Sequence, residues 1–172
     1  LPWIAPELNL IRAAIAGGVP TVGHCLGGQL MAKATGGSVG PNPVKEIGWG
    51  QVEVAQHALA REWLGDMRSF NSFHWHGETF SLPPDATLIA SSTHCRNQIF
   101  VLGQRHLGMQ CHIEMTSDLI ESWCNSGAGE IAACVSPAVM QIAAIRSNLD
   151  QRVAALHLVA DQVYSRWIKG LR

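Results

Sequence analysis

Apolar residues along the chain recur with two different periods. Within residues 7–16, Leu8, Leu10, Ile11, Ala14 and Ile15 fall on one side of a helix, and Gly17-Gly18 ends it. Residues 19–23 read as a short buried strand. Residues 26–35 return to helical spacing, with Leu26, Leu30, Met31 and Ala34 aligned and Gly36-Gly37 closing the element. A strand-rich block follows: residues 47–54, 69–75 and 87–91, with Pro83-Pro84-Asp85 marking a turn. Residues 98–103 and 108–112 predict a hairpin around Gln104-Arg105-His106. From about residue 116 the pattern is helical, and Leu149, Val153, Leu156, Val159, Val163 and Trp167 share a face of the last segment. This order predicts an α/β layered domain, with a core over residues 1–115 and helices over residues 116–172 packed on the same domain.

Composition narrows the function. The chain has 172 residues, enough for one domain with a real core. Charged residues make up 15%, below the usual ~25%, which argues against disorder. A net charge of −1 gives no basic field, so neither nucleic acid nor an anionic membrane is an expected partner. No apolar run approaches the ~18–20 residues of a membrane span. The start carries no signal-peptide pattern. Five cysteines (Cys25, Cys95, Cys111, Cys124 and Cys134) are widely spaced and include no CxxC. That pattern fits neither a disulfide framework nor a zinc module, and points to a reducing, cytoplasmic setting. His74 and His76 stand two apart with no ligand cluster evident in the sequence, so no metal and no cofactor is expected.

The segment that carries chemistry is Val22-Gly23-His24-Cys25-Leu26-Gly27-Gly28-Gln29-Leu30. A buried strand runs straight into a helix with a cysteine at the corner, the arrangement of a nucleophile elbow. So sharp a turn needs small neighbours, which Gly23 and Gly27 are expected to supply. Unpaired N–H groups at the helix start favour a thiolate. The base is expected downstream, in Gly108-Met109-Gln110-Cys111-His112-Ile113-Glu114. In an extended chain His112 and Glu114 point to the same side. His112 could then take the thiol proton while Glu114 orients the imidazole. His24, directly before Cys25, is expected to be packed or surface-facing. Cys95 and Cys111 are expected to pack beside strands, and His74 to be structural.

Four segments in order resemble the class I glutamine amidotransferases, most closely the stand-alone group similar to the amidotransferase domain of GMP synthase. They are the cysteine segment at residues 20–32, Glu46-Ile-Gly-Trp-Gly-Gln-Val-Glu53, Trp75-His76-Gly77-Glu78 with Leu82-Pro83, and the His112-Ile113-Glu114 segment. The resemblance implies a flavodoxin-like three-layer α/β/α sandwich with a helical C-terminal tail. It implies Cys25 as nucleophile, His112 as general base and acid, and Glu114 as orienting carboxylate. It also implies Leu26 N–H as an oxyanion donor and Gln29 as a residue that holds the substrate glutamine; His76 and Glu78 are expected either to line the pocket mouth or to stabilise a loop. The expected reaction is hydrolysis of the glutamine side-chain amide through a γ-glutamyl thioester, with release of ammonia.

Two features depart from the family pattern. Ile113 stands where the family usually has proline. The chain also begins after the family's first strands and glycine-rich loop, so it reads as N-terminally incomplete, without the second oxyanion donor. Losing such a donor typically costs ~10²–10³ in rate. The chain on its own is therefore expected to be inactive or poorly folded unless a partner completes it. The alternatives are a γ-glutamyl peptidase-like hydrolase, or a non-catalytic family member kept as an interaction module. Expected partners are glutamine or a γ-glutamyl compound, and a separate synthetase or acceptor protein.

Overall fold

The computed structural model describes residues 1–171. Its elements are α1 (Ile4–Ala16), β1 (Val22–His24), α2 (Leu26–Ala34), β2 (Val39–Val54), α3 (Ala58–Leu64), β3 (Ser69–Phe80), β4 (Ala86–Ser91), β5 (Ile99–Leu102) and β6 (His106–Met109). They continue as α4 (Ser117–Ser126), α5 (Ala128–Ala133), β7 (Ala138–Val139), α6 (Ile142–Arg146) and α7 (Leu149–Ile168).

The sheet runs β1-β6-β5-β4-β2-β3, with β7 added beside β2. It is mixed. β1 lies parallel to β6 and β7 parallel to β2, and the remaining pairs are antiparallel. All four residues of β5 are buried, and they divide by alternation. Ile99 and Val101 join Trp63 and Leu64 of α3 and Val153, Leu156 and Val159 of α7. Phe100 and Leu102 join Leu8 and Ile11 of α1 and Met31 of α2. Two cores on opposite faces of one sheet give the three-layer α/β/α arrangement, with a long C-terminal helical tail closing one side. The tail's Ile120, Cys124, Ile131 and Ile145 enter the same core as α3 and α7.

Several elements differ from the sequence expectation. Helix α1 starts at Ile4 rather than residue 7. Strands β2 and β3 are 16 and 12 residues long, well beyond 47–54 and 69–75. The start of β2 carries Gly40, Pro41, Asn42 and Pro43, which read as a turn. The ladder absorbs them with an irregularity between Pro41 and Glu46, where the Asn42 amide donates to the carbonyls of Val44 and His94. Helix α3 gave no clear periodic signal over its 7 residues; the His57 ring caps it by accepting from Ala60 N–H. Strand β6 begins at His106, so the hairpin turn lies one step earlier, with Gly103 at φ 57°.

Candidate active site

Cys25 sits where β1 breaks into α2, with φ 45° and ψ −106°, a conformation that non-glycine residues rarely adopt. Two glycines permit this corner. A Cβ on Gly23 would lie 2.5 Å from the carbonyl carbon of Gly27, and a Cβ on Gly28 would lie 2.3 Å from the Met109 carbonyl oxygen. Gly27 has open space instead, so the tight residue after the cysteine is Gly28, where helix α2 meets strand β6.

His112 lies just past β6 and is held by backbone. Its N–H donates to Phe73 O at 2.9 Å, and its own carbonyl accepts from Phe73 N–H at 3.3 Å and from the Ser72 hydroxyl at 2.9 Å. Its Nδ1 is 2.5 Å from Glu114 Oε1. The other oxygen of Glu114 is 3.0 Å from Nδ1 of His24, and His24 Nε2 is 2.8 Å from the Tyr164 hydroxyl on α7. Burial lowers the His24 pKa despite Glu114 beside it. Burial also raises that of Tyr164, with the Glu114 charge adding to it. A neutral His24 accepts the Tyr164 O–H at Nε2, while its Nδ1 lies beside Glu114 without hydrogen-bond geometry. For His112, burial pulls the pKa down, but the adjacent Cys25 sulfur and the Glu114 carboxylate outweigh it and hold the value up at about 9. Burial raises the pKa of Glu114, and the His112 hydrogen bond and the neighbouring imidazoles bring it below its ordinary range.

Cys25 opens onto a cleft of about 510 Å³, whose walls include His24, Leu26, Trp75, His112, Trp123 and Glu130. The Trp123 ring meets His112 edge-on at 5.2 Å and Trp75 edge-on at 5.9 Å. Trp75 Nε1 donates to Glu130, which also pairs with Lys45. Leu26 is the first residue of α2, so its N–H is among those a helix start leaves unpaired.

The sequence-selected residues fall in three places. Cys25, Leu26 and His112 line the cleft, and Glu114 contacts His112 Nδ1. Gln29 is buried behind it: its amide donates to Gln110 Oε1 and Glu78 O, both at 3.2 Å, and Gln110 in turn donates to Cys25 Sγ at 3.5 Å. His76 lies away from the cleft, with Nε2 3.0 Å from Glu46 and Nδ1 3.0 Å from the Glu78 carbonyl. His24, expected to be packed or surface-facing, is a partner of Glu114 and a wall of the cleft. Trp123, Gln110 and Tyr164 carried no sequence signal. Cys111 is fully buried, and burial pushes its thiol up to about 12. All five cysteines are free.

The family model for glutamine amidotransferase class-I matches residues 3–122. The chain belongs to the class I glutamine amidotransferase family. A glutamine amidotransferase crystal structure from Methylobacillus flagellatus superposes at TM-score 0.98 with 46% identity, covering 100% of this chain and 71% of that one. One from Thermotoga maritima gives TM-score 0.86 with 27% identity, covering 98% of this chain and 71% of that one. A glutamine amidotransferase-like protein of Salmonella typhimurium is 32% identical over 127 residues, 73% of this chain and 53% of its own length. The chain thus spans about half the length of that curated relative. The amidotransferase fold is related to that of GMP synthase: the Paraburkholderia phytofirmans enzyme is 31% identical over 107 residues, 58% of this chain and 20% of its own. No helix among the described residues is long and apolar enough to cross a membrane.

The expected amidotransferase reaction, glutamine-amide hydrolysis through a closed Cys25–His112–Glu114 triad with release of ammonia, is not what this arrangement carries. Only the His112–Glu114 half is joined. Cys25 Sγ accepts from Gln110 and sits 4.0 Å from the Trp75 carbonyl, while His112 Nε2 is buried with no hydrogen-bond partner. The cluster of metal-ligating side chains that does converge, Glu46 with His74 and His76, contains no cysteine. The Cys25–His112 contact has no hydrogen-bond geometry here, although the sulfur is near enough to raise the His112 pKa.

Proposed function

We propose that the cleft binds a γ-glutamyl compound and that Cys25 is the nucleophile of a γ-glutamyl peptidase-like hydrolase. The observation that carries this reading is the placement of Cys25 at a strained strand-to-helix corner, on a cleft of about 510 Å³ walled by Trp75 and Trp123. Ammonia as a leaving group needs no room, whereas an amino acid or peptide leaving group needs an apolar surface of this kind. His112, held charged at neutral pH, is placed to give a proton to a departing amine, with Glu114 orienting it. Leu26 N–H is the oxyanion donor of this reading. Glu130 on the wall is a partner for an α-ammonium group, and Gln29 acts through Gln110. Closure of the Cys25–His112 contact accompanies substrate binding, as catalytic hydrogen bonds often tighten only in the complex.

The test is intact mass after incubation with a chloroketone analogue of glutamine, beside turnover of γ-glutamyl dipeptides. One adduct, lost in Cys25→Ala, with dipeptide turnover supports the hydrolase. A folded protein that forms no adduct supports the second reading, a non-catalytic interaction module, which the unpartnered His112 Nε2 favours.

A further inference from the structure

We propose that Glu46, His74 and His76 form a binding site for one divalent first-row transition-metal ion, with Zn²⁺ the best match to the donors. This is independent of the Cys25 cleft. The antiparallel register of β2 and β3 sets Glu46 opposite His76 and Gly48 opposite His74. His74 and His76 are two apart, so both rings leave β3 on one face, and Glu46 meets them there. The ligand atoms of all three lie within 4.8 Å of one another. His76 Nε2 is 3.0 Å from Glu46 Oε2, close to the separation of about 3.3 Å between two ligands on a tetrahedral zinc. Gly50 leaves the space the His74 ring uses, since a Cβ there would stand 2.9 Å from it.

Burial and tautomer both favour an ion. Glu46, His74 and His76 are 4%, 1% and 5% exposed. Neither ring nitrogen of His74 has a hydrogen-bond partner, an arrangement that native interiors rarely leave unanswered. His76 Nδ1 faces the Glu78 carbonyl at 3.0 Å, which places the proton on that nitrogen and frees Nε2 for a ligand. Gln98 donates to Glu46 Oε2 at 3.3 Å. These are the outer contacts that orient metal ligands. Two histidines and a glutamate are a known zinc ligand set with one position left for water. A cavity of about 270 Å³, lined by Glu46 and His74 and reaching Ser92 and His94, gives that position access.

The test is titration of the chelator-treated chain with Co²⁺, followed by visible absorption, and then displacement by Zn²⁺. One ion per chain with four-coordinate Co²⁺ bands is expected. His74→Leu and Glu46→Gln should each weaken binding at least 10-fold. His74→Leu removes an unpartnered buried group, so the metal-free variant should melt no lower than the parent, which separates lost ligation from lost fold. Absence of stoichiometric binding in the parent, or unchanged binding in both variants, overturns the site and leaves a structural Glu46–His76 pair.

Discussion

The Tyr164 hydroxyl reaches Nε2 of His24 at 2.8 Å across 140 residues of sequence. It ties the last long helix to the residue before Cys25, and through His24 to Glu114 and His112. Replacing Tyr164 with Phe removes the outer link while keeping the ring. Stability should fall by about 1 kcal/mol, the usual worth of one such bond. Alkylation of Cys25 should slow as well, since Glu114 loses part of its support. Urea melts and timed mass spectra read the two effects, and unchanged values in both would show the contact to be idle.

His112 gives a pH signature. Its folded pKa of about 9 exceeds the ordinary 6.5, so its contribution to stability is complete below about pH 6.5 and is lost as pH rises through 9. The ceiling is on the order of 3 kcal/mol. Glu114, held low, acts oppositely: its contribution is present above about pH 4.5 and fades as pH falls through its folded value. Denaturation midpoints between pH 6 and 10 should decline in the parent and stay flatter in His112→Gln. An imidazole titration followed by NMR should move down in Cys25→Ala, because the sulfur is one of the groups that hold His112 charged.

The two glycines after the cysteine should separate sharply. Gly28→Ala drives a methyl to 2.3 Å from the Met109 carbonyl oxygen, in a place bounded by backbone. A loss of ~3 kcal/mol or more, or failure to fold, is expected. Gly27→Ala meets nothing within 4 Å and sits in a helix, so it should be neutral or stabilising by up to about 1 kcal/mol. Equal melting temperatures for the two variants would contradict this packing.

Gln29→Leu tests the pair behind the nucleophile. It leaves Gln110 Oε1 without its donor in a buried site, which should cost roughly 1–3 kcal/mol. Gln110 should then hold Cys25 less firmly, and the spread of Cys25 labelling rates with pH should change. A variant as stable as the parent, with the same labelling profile, would show that Gln110 needs no such support.

The elbow and the His112–Glu114 pair were legible because both depend on local spacing: a strand-turn-helix with glycines, and two side chains two residues apart. What joins them was not. Alternation along β1 turned His24 away from Cys25 on paper, but the positive φ at Cys25 breaks that alternation and brings both to one cleft. Gln110, Trp123 and Tyr164 reach the site from elements whose approach only the sheet order defines. Gly27 looked like the small residue required, and Gly28 is, because the demand comes from strand β6 rather than from the turn. The long arms of β2 and β3 were hidden by proline and asparagine at positions where the ladder tolerates a bulge. Glu46, His74 and His76 looked unrelated because their meeting depends on register between strands.

Strand β3 is a party wall between two chambers. Phe73 and Trp75 lean toward the cysteine side, and Phe73 also clasps His112 through paired backbone bonds. His74 and His76 lean the other way, onto Glu46. Alternate residues of one strand thus wall both chambers, and a label or substitution on one side is best checked for its effect on the other.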